Sequence, residues 1–145
     1  MKSKMFFAIS NLFGKFRHRG YTRFTDVEKR ARNTIYLYVH RKIDDEQMFN
    51  DMSEIRKEFY RLTNVNDNIV IDKDTPLWMN KFFGFKFHDW AKFQMLKKHF
   101  KEHPEELIGE TKKSYERICE MGYNEDFIAA CKYILKNFGG SEYSV

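Results

Sequence analysis

The chain has 145 residues, of which 42% are hydrophobic and 32% charged, and its formal net charge is +5. This length is typical of a single domain with its own hydrophobic core, which we predict over residues 1–145. No apolar run approaches the roughly 20 residues that a membrane span needs. Two cysteines exclude a disulfide framework and favour a cytoplasmic protein.

The charges are distributed unevenly along the chain. Residues 1–43 contain eleven Lys/Arg and two Asp/Glu, a net charge of +9. Residues 44–145 contain fifteen Lys/Arg and nineteen Asp/Glu, a net charge of −4. Such asymmetry predicts a polyanionic partner. The frequent use of residues with AT-rich codons, such as Phe, Tyr, Ile, Asn and Lys, is typical of many phages and of some low-GC bacteria. We expect a cytoplasmic protein, which acts in the host cytoplasm if it is phage-encoded.

The first predicted element is an amphipathic helix over residues 4–17. Its apolar stripe comprises Met5, Phe6, Ile9, Leu12, Phe13 and Phe16. We expect this helix to pack on the domain, so that residues 1–43 form a structured basic segment. Peripheral contact with an anionic membrane is an alternative that this kind of helix leaves open. Thr25 and Glu28 then predict a capping box for the next helix.

The remaining elements predict a helix-dominated α+β domain with a small antiparallel sheet. β-branched or alternating apolar residues predict strands near 34–40, 68–72 and 82–87. Apolar residues at helical spacing predict helices over 45–62, 89–102, 104–121 and 125–137, the first capped by Asp44. If the first and last of the predicted strands are helical instead, the domain is all-α.

Two of the predicted strands resemble the RNA-recognition-motif family. Ile35-Tyr36-Leu37 is similar to the opening of that family's first-strand motif. The third-strand motif is matched at Lys81, Phe83, Gly84 and Phe85. The resemblance implies a sheet whose aromatic side chains stack on unpaired RNA bases. Phe82 and Lys86 depart from the family's pattern.

Cations alternate with aromatic residues around residues 15–24, and this pattern suits nucleic acid. Lys and Arg bind phosphates, whereas flat rings stack on unpaired bases. We predict a non-enzymatic protein without cofactor, an accessory factor or inhibitor, that binds nucleic acid or an acidic surface of a nucleic-acid-handling protein. The predicted contact residues are Lys15, Arg17, Arg19, Tyr21, Arg23, Phe24, Arg30, Arg32, Arg41 and Lys42, with Tyr21 and Phe24 as stacking or packing anchors.

An alternative function comes from His88-Asp89 with Lys92 three positions later, which resembles the central motif of HD phosphohydrolases. That resemblance implies a divalent metal that activates water against a phosphate ester. The family also needs an upstream His and a downstream Asp, for which His40 and Asp126 are available. The competing interpretation is that Asp89 caps a helix and that His88 has no functional role.

A second metal-like pattern is His99-Phe-Lys-Glu-His103, which fits the H-x-x-E-H pattern of inverted zinc proteases. Two His four residues apart share one face of a helix. However, Pro104 disfavours helical backbone at His103, and little chain follows for a protease core. The sequence leaves open whether these His residues bind metal or phosphate, or are only solvated.

Overall fold

The structure, a computed structural model, describes residues 20–139, so the predicted helix over 4–17 lies outside the described residues. Helices account for 75% of the described residues, and two short strands form an antiparallel sheet. The predicted helix-dominated α+β class is therefore confirmed, and the two-strand sheet excludes the all-α alternative. No helix in residues 20–139 has the length and apolar character needed to cross a membrane.

Six α-helices and one hairpin make up the described part of the chain. In order they are α1 (Thr25–Val39), α2 (Asp45–Thr63), β1 (Asn64–Val65), β2 (Asn68–Ile69), α3 (Leu77–Lys81), a π-helical turn (Phe82–Lys86), α4 (Phe87–Glu102), a 3₁₀ turn (Pro104–Glu106), α5 (Gly109–Cys119) and α6 (Tyr123–Phe138). Helix α1 packs against α2 and α6, and α6 also packs against α4.

The predicted strand over 34–40 is wrong, because this segment is the second half of α1. Ile35 is fully buried and Tyr38 nearly so, whereas Leu37 between them is 39% exposed. Together with the buried Val27 and Ala31 they form one apolar face at helical spacing. Burial of that face outweighs the strand preference of the β-branched and aromatic residues.

The predicted strand over 82–87 is also wrong. The π-helical turn Phe82–Lys86 joins α3 to α4 without a break in the helical backbone. Phe82, Phe83 and Phe87 are buried, whereas Phe85 is 66% exposed. Because both segments that resemble the RNA-recognition motif are helical, the fold implied by that resemblance is overturned.

The predicted strand near 68–72 is confirmed in part, because Asn68–Ile69 forms β2. It pairs with β1 in the register Asn64↔Ile69 and Val65↔Asn68. Asn66 and Asp67 between them have φ values of 52° and 65°, and positive φ at both positions is what a tight two-residue hairpin turn requires. All four strand residues are exposed, so the hairpin is a surface feature.

Of the two predicted helix caps, the one at Asp44 is confirmed and the one at Thr25 is wrong. Asp44 is the N-cap of α2, and its Oδ1 accepts a hydrogen bond from the backbone N–H of Gln47 at 2.9 Å. Thr25 is not the cap of α1 but its first residue, and its Oγ1 accepts from the Thr22 N–H at 2.8 Å. Glu28 instead accepts from the Trp78 indole N–H, which ties α1 to α3.

The core is an aromatic cluster that joins α1, α4 and α6. The rings of Trp90 and Phe127 stack with centroids 4.2 Å apart and planes inclined by 10°. Tyr38 of α1 packs on both rings, at 5.8 Å and 5.6 Å. At the other end of α1, Phe24 lies 5.5 Å from Phe59 of α2. Both ends of α1 are thus attached to the domain.

Helix α1 ends at a left-handed residue that is not glycine. Arg41 has a φ of 59°, and its N–H donates to the carbonyl of Tyr38 at 3.1 Å. The next N–H, of Lys42, donates to the carbonyl of Leu37 at 2.8 Å. These are the two bonds of a Schellman motif, which favours glycine at the left-handed position. A residue with a Cβ pays a steric penalty of roughly 1–2 kcal/mol there.

We expect Arg41→Gly to raise the free energy of unfolding by about 1 kcal/mol, because glycine adopts this conformation without the steric penalty. Arg41→Ala is the matched control, since it removes the same charge but keeps the Cβ, and it should give no such gain. Urea denaturation measures both variants. Equal free energies of unfolding for the two would contradict the prediction.

Candidate nucleic-acid interface

Seven of the ten predicted contact residues lie in the described part of the chain. The other three, Lys15, Arg17 and Arg19, lie outside it. The structure divides the seven into one core residue, two residues held by internal ion pairs, and four exposed residues.

Phe24 is the core residue. Its side chain is fully buried against Phe59, and the guanidinium of Arg23 lies 4.5 Å from the centroid of its ring. In this structure the ring packs in the core and is not available to stack on a base, so of the two predicted roles, stacking or packing anchor, it has the second. The alternation of cations and aromatics did not distinguish a ring that packs inward from one that faces solvent.

Arg23 connects the start of α1 to the end of α2 and the loop beyond the hairpin. Its Nε donates to the carbonyl of Leu62 at 2.9 Å, and its Nη1 lies 3.2 Å from Oδ2 of Asp72. Desolvation raises the pKa of Asp72. Hydrogen bonds from the Asp74 N–H, from Arg23 and from Thr75 outweigh it, so the pKa lies below its usual value. The Arg23 side chain thus has a structural role.

Arg32 also has an internal partner. Its Nη1 lies 3.3 Å from Oε2 of Glu28, one turn earlier in α1. The same carboxylate oxygen accepts the Trp78 indole N–H at 2.7 Å. The Arg32 side chain is only 20% exposed. We therefore assign Arg32 to the packing between α1 and α3.

The remaining predicted residues, Tyr21, Arg30, Arg41 and Lys42, are exposed. The Tyr21 hydroxyl donates to Asp26 at 2.6 Å, and this bond raises the pKa of Tyr21, but 76% of the residue's surface is open to solvent. Among the described residues, none of Arg30, Arg41 and Lys42 forms an ion pair within 4.0 Å, although the charge of Arg30 contributes, after the hydrogen bond from Arg61, to lowering the pKa of Glu58.

Lys29 is a fifth exposed candidate, which the sequence reasoning missed. Its position is readable from the helical period, because it lies away from the buried Val27, Ala31 and Ile35. We call Lys29, Arg30, Arg41 and Lys42 the basic edge. Two of its members lie on the exposed face of α1 and two follow its C-terminal end.

The four residues of the alternative metal site do not come together. Asp126 pairs with Lys86 at 3.0 Å, and the ring of His40 packs on Tyr36 at 4.2 Å. His88 and Asp89 are exposed on α4, where the continuous helical backbone also leaves Asp89 no capping role. Within residues 20–139, the potential metal ligands that cluster within 4.8 Å are instead His103, Glu105 and Glu106.

An open apolar groove of about 330 Å³ lies between α4 and α5. Leu96 and Phe100 line it from α4, and Tyr115 and Ile118 line it from α5. Helix α5 has no buried residue, so it covers this side of α4 only loosely. The groove contains none of the predicted contact residues and is separate from the basic edge.

No family model, curated protein or solved structure matches this chain. Its function is therefore inferred from its own residues. The observations that bear on function are the basic edge, the position of that edge just after the basic residues 1–19, and the acidic balance of the rest of the chain.

We expect Arg23→Gln to lower the free energy of unfolding by about 1–2 kcal/mol, because it removes a hydrogen bond to Leu62 and a partly buried ion pair. Lys42→Gln removes the same charge from an exposed site and should change stability by less than about 0.5 kcal/mol. Thermal or urea denaturation measures both. If Lys42→Gln lowered the free energy of unfolding more than Arg23→Gln does, the assignment of Arg23 as structural and Lys42 as available to a partner would be contradicted.

Proposed function

We propose that the protein binds nucleic acid through the basic edge together with the basic residues of segment 1–19, and that it is an accessory factor or inhibitor rather than an enzyme. The observation that carries the proposal is the charge segregation, +9 in residues 1–43 against −4 in residues 44–145. Lys and Arg that contact phosphates release condensed counterions, and this supplies most of the sequence-independent affinity.

The basic edge supports the proposal because its side chains are exposed and, in the described part of the chain, have no carboxylate within ion-pairing distance. A cation already paired with a carboxylate would have to break that pair before it could contact a phosphate. Arg23 and Arg32 would lose such a pair, whereas Arg41 and Lys42 would not, and Arg30 would lose only a longer-range attraction to Glu58. Tyr21 adds an exposed ring near the start of α1 for stacking on an unpaired base.

The negative balance of residues 44–145 favours one orientation of the complex. A polyanion is attracted to the basic segment and repelled by the rest of the surface, so it approaches from one side. This charge pattern favours nucleic acid that lies along one face of the protein over nucleic acid that wraps around it.

Fluorescence anisotropy with a labelled single strand and a labelled duplex, each of about 20 nucleotides per strand, tests the proposal. We expect binding at about 50 mM salt that weakens steeply toward about 200 mM, because each phosphate contact contributes about 0.9 to the logarithmic salt slope for duplex and about 0.7 for single strands. If neither ligand binds at about 50 mM salt, the proposal fails, and an acidic protein surface becomes the partner to test.

Two variants with equal charge change locate the interface. The triple variant Arg30→Gln, Arg41→Gln and Lys42→Gln should weaken duplex binding and reduce the salt slope by up to about 3, since each lost contact removes about 0.9. The matched control changes three exposed cations outside α1, Lys98→Gln, Lys101→Gln and Lys112→Gln, none of which forms an ion pair within 4.0 Å among the described residues. Equal losses in the two variants would mean that net charge, and not the basic edge, determines binding.

A further inference from the structure

The C-terminal end of α4 turns sharply because of Pro104. The N–H of His103 makes the last helical bond, to the carbonyl of His99 at 2.9 Å. The backbone of His103 then leaves the helix, with φ −131° and ψ 61°, since a residue before proline is restricted from helical geometry. The 3₁₀ turn closes when the Glu106 N–H donates to the carbonyl of His103 at 3.0 Å.

This turn brings two imidazoles and two carboxylates together. Nδ1 of His103 lies 3.3 Å from Oε2 of Glu105 and 4.0 Å from Oε2 of Glu106. The other oxygen of Glu106, Oε1, lies 2.8 Å from Nε2 of His99. One ligand atom from each of His103, Glu105 and Glu106 lies within 4.8 Å of the others.

Two of the three separations are close to the size of a coordination shell, and the third, between Glu105 and Glu106, is within 4.8 Å. Zn²⁺ binds imidazole nitrogen and carboxylate oxygen at about 2.0–2.2 Å, usually as a tetrahedron, which places neighbouring ligand atoms about 3.3 Å apart. The two distances from Nδ1 of His103, 3.3 Å and 4.0 Å, differ from this value by less than about 1 Å. Exposed side chains such as these need only small rotations to close that difference.

We propose that His103, Glu105 and Glu106 bind a divalent transition-metal ion, for which Zn²⁺ is the best fit, and that His99 is a positioning residue. Glu106 binds the ion through Oε2, while the N–H of His99 donates to Oε1 of the same carboxylate. Metal-binding carboxylates are commonly held by an outer hydrogen bond of this kind, which fixes their orientation. Water completes the coordination shell on the solvent side.

The cluster differs from the arrangement that the H-x-x-E-H pattern implies. In that pattern both His and the intervening Glu102 act from one helix, whereas here the carboxylates come from the turn after Pro104. The hydrogen bond between His99 and Glu106, at 2.8 Å, holds the Glu106 carboxylate in one orientation. The metal site is independent of the basic edge and of the proposed nucleic-acid binding.

Isothermal titration of the full chain with ZnCl₂ at neutral pH tests the site. We expect one ion per chain, and a loss of affinity of at least about tenfold for His103→Gln and for Glu106→Gln. His99→Gln should weaken binding by about tenfold, within the range typical of outer partners. NMR should show the Nδ1 resonance of His103 shifting on addition of zinc, a change that a purely structural role would not produce.

The matched control is His88→Gln, which changes another exposed His of α4 outside the cluster and should leave zinc affinity unchanged. All four altered side chains are exposed, and far-UV circular dichroism establishes that each variant is folded. Absence of stoichiometric zinc binding to the unmodified chain would overturn the proposal. Unchanged affinity in His103→Gln, or an equal loss in His88→Gln, would overturn it as well.

Discussion

The stacked rings of Trp90 and Phe127 hold α4 against α6, and the other core contacts are arranged around them. The indole N–H of Trp90 donates to Oδ1 of Asn124 at 2.8 Å, which fixes the ring while its faces stay in apolar contact. Tyr38 lies against both rings, and its own hydroxyl donates to Asp45 at the start of α2. The cluster of Trp90, Phe127 and Tyr38 therefore connects four helices, α1, α2, α4 and α6.

This arrangement determines which side of α1 is available to a partner. Val27, Ala31 and Tyr38 turn one face of α1 to the core. Lys29 and Arg30 lie off that face and are exposed. The basic N-terminal third of the chain thus contributes to the core and to the charged surface through different sides of α1.

Helix α2 shows how much of the fold the sequence predicts. Its apolar residues recur at regular helical spacing and Asp44 supplies a clear N-cap, so prediction and structure agree to within one residue at its end. Segments 34–40 and 82–87 were predicted wrongly for a shared reason. Both are rich in β-branched or aromatic residues, and short-range alternation cannot reveal that a distant aromatic cluster buries only one helical face.

The candidate sites show the same limit. The interleaved cations and aromatics indicated a binding segment, but sequence could not show that Arg23 bonds to a carbonyl thirty-nine residues away. The H-x-x-E-H pattern correctly identified His99 and His103 as neighbours. The pattern also implies Glu102 as the acidic partner of the two His residues. In the structure Glu106 contacts His99 instead, and the turn after Pro104 that brings it there has no periodic signal in the sequence.

The π-helical turn has a consequence for how one long helical run meets α6. An unbroken α-helix turns about 100° per residue, which would point Trp78 and Trp90 about 120° apart around the axis. The wider π turn advances by only roughly 80° per residue over Phe82–Lys86, which removes most of that angle. Both tryptophans consequently face α6, where Trp78 stacks on Phe138 and Trp90 stacks on Phe127.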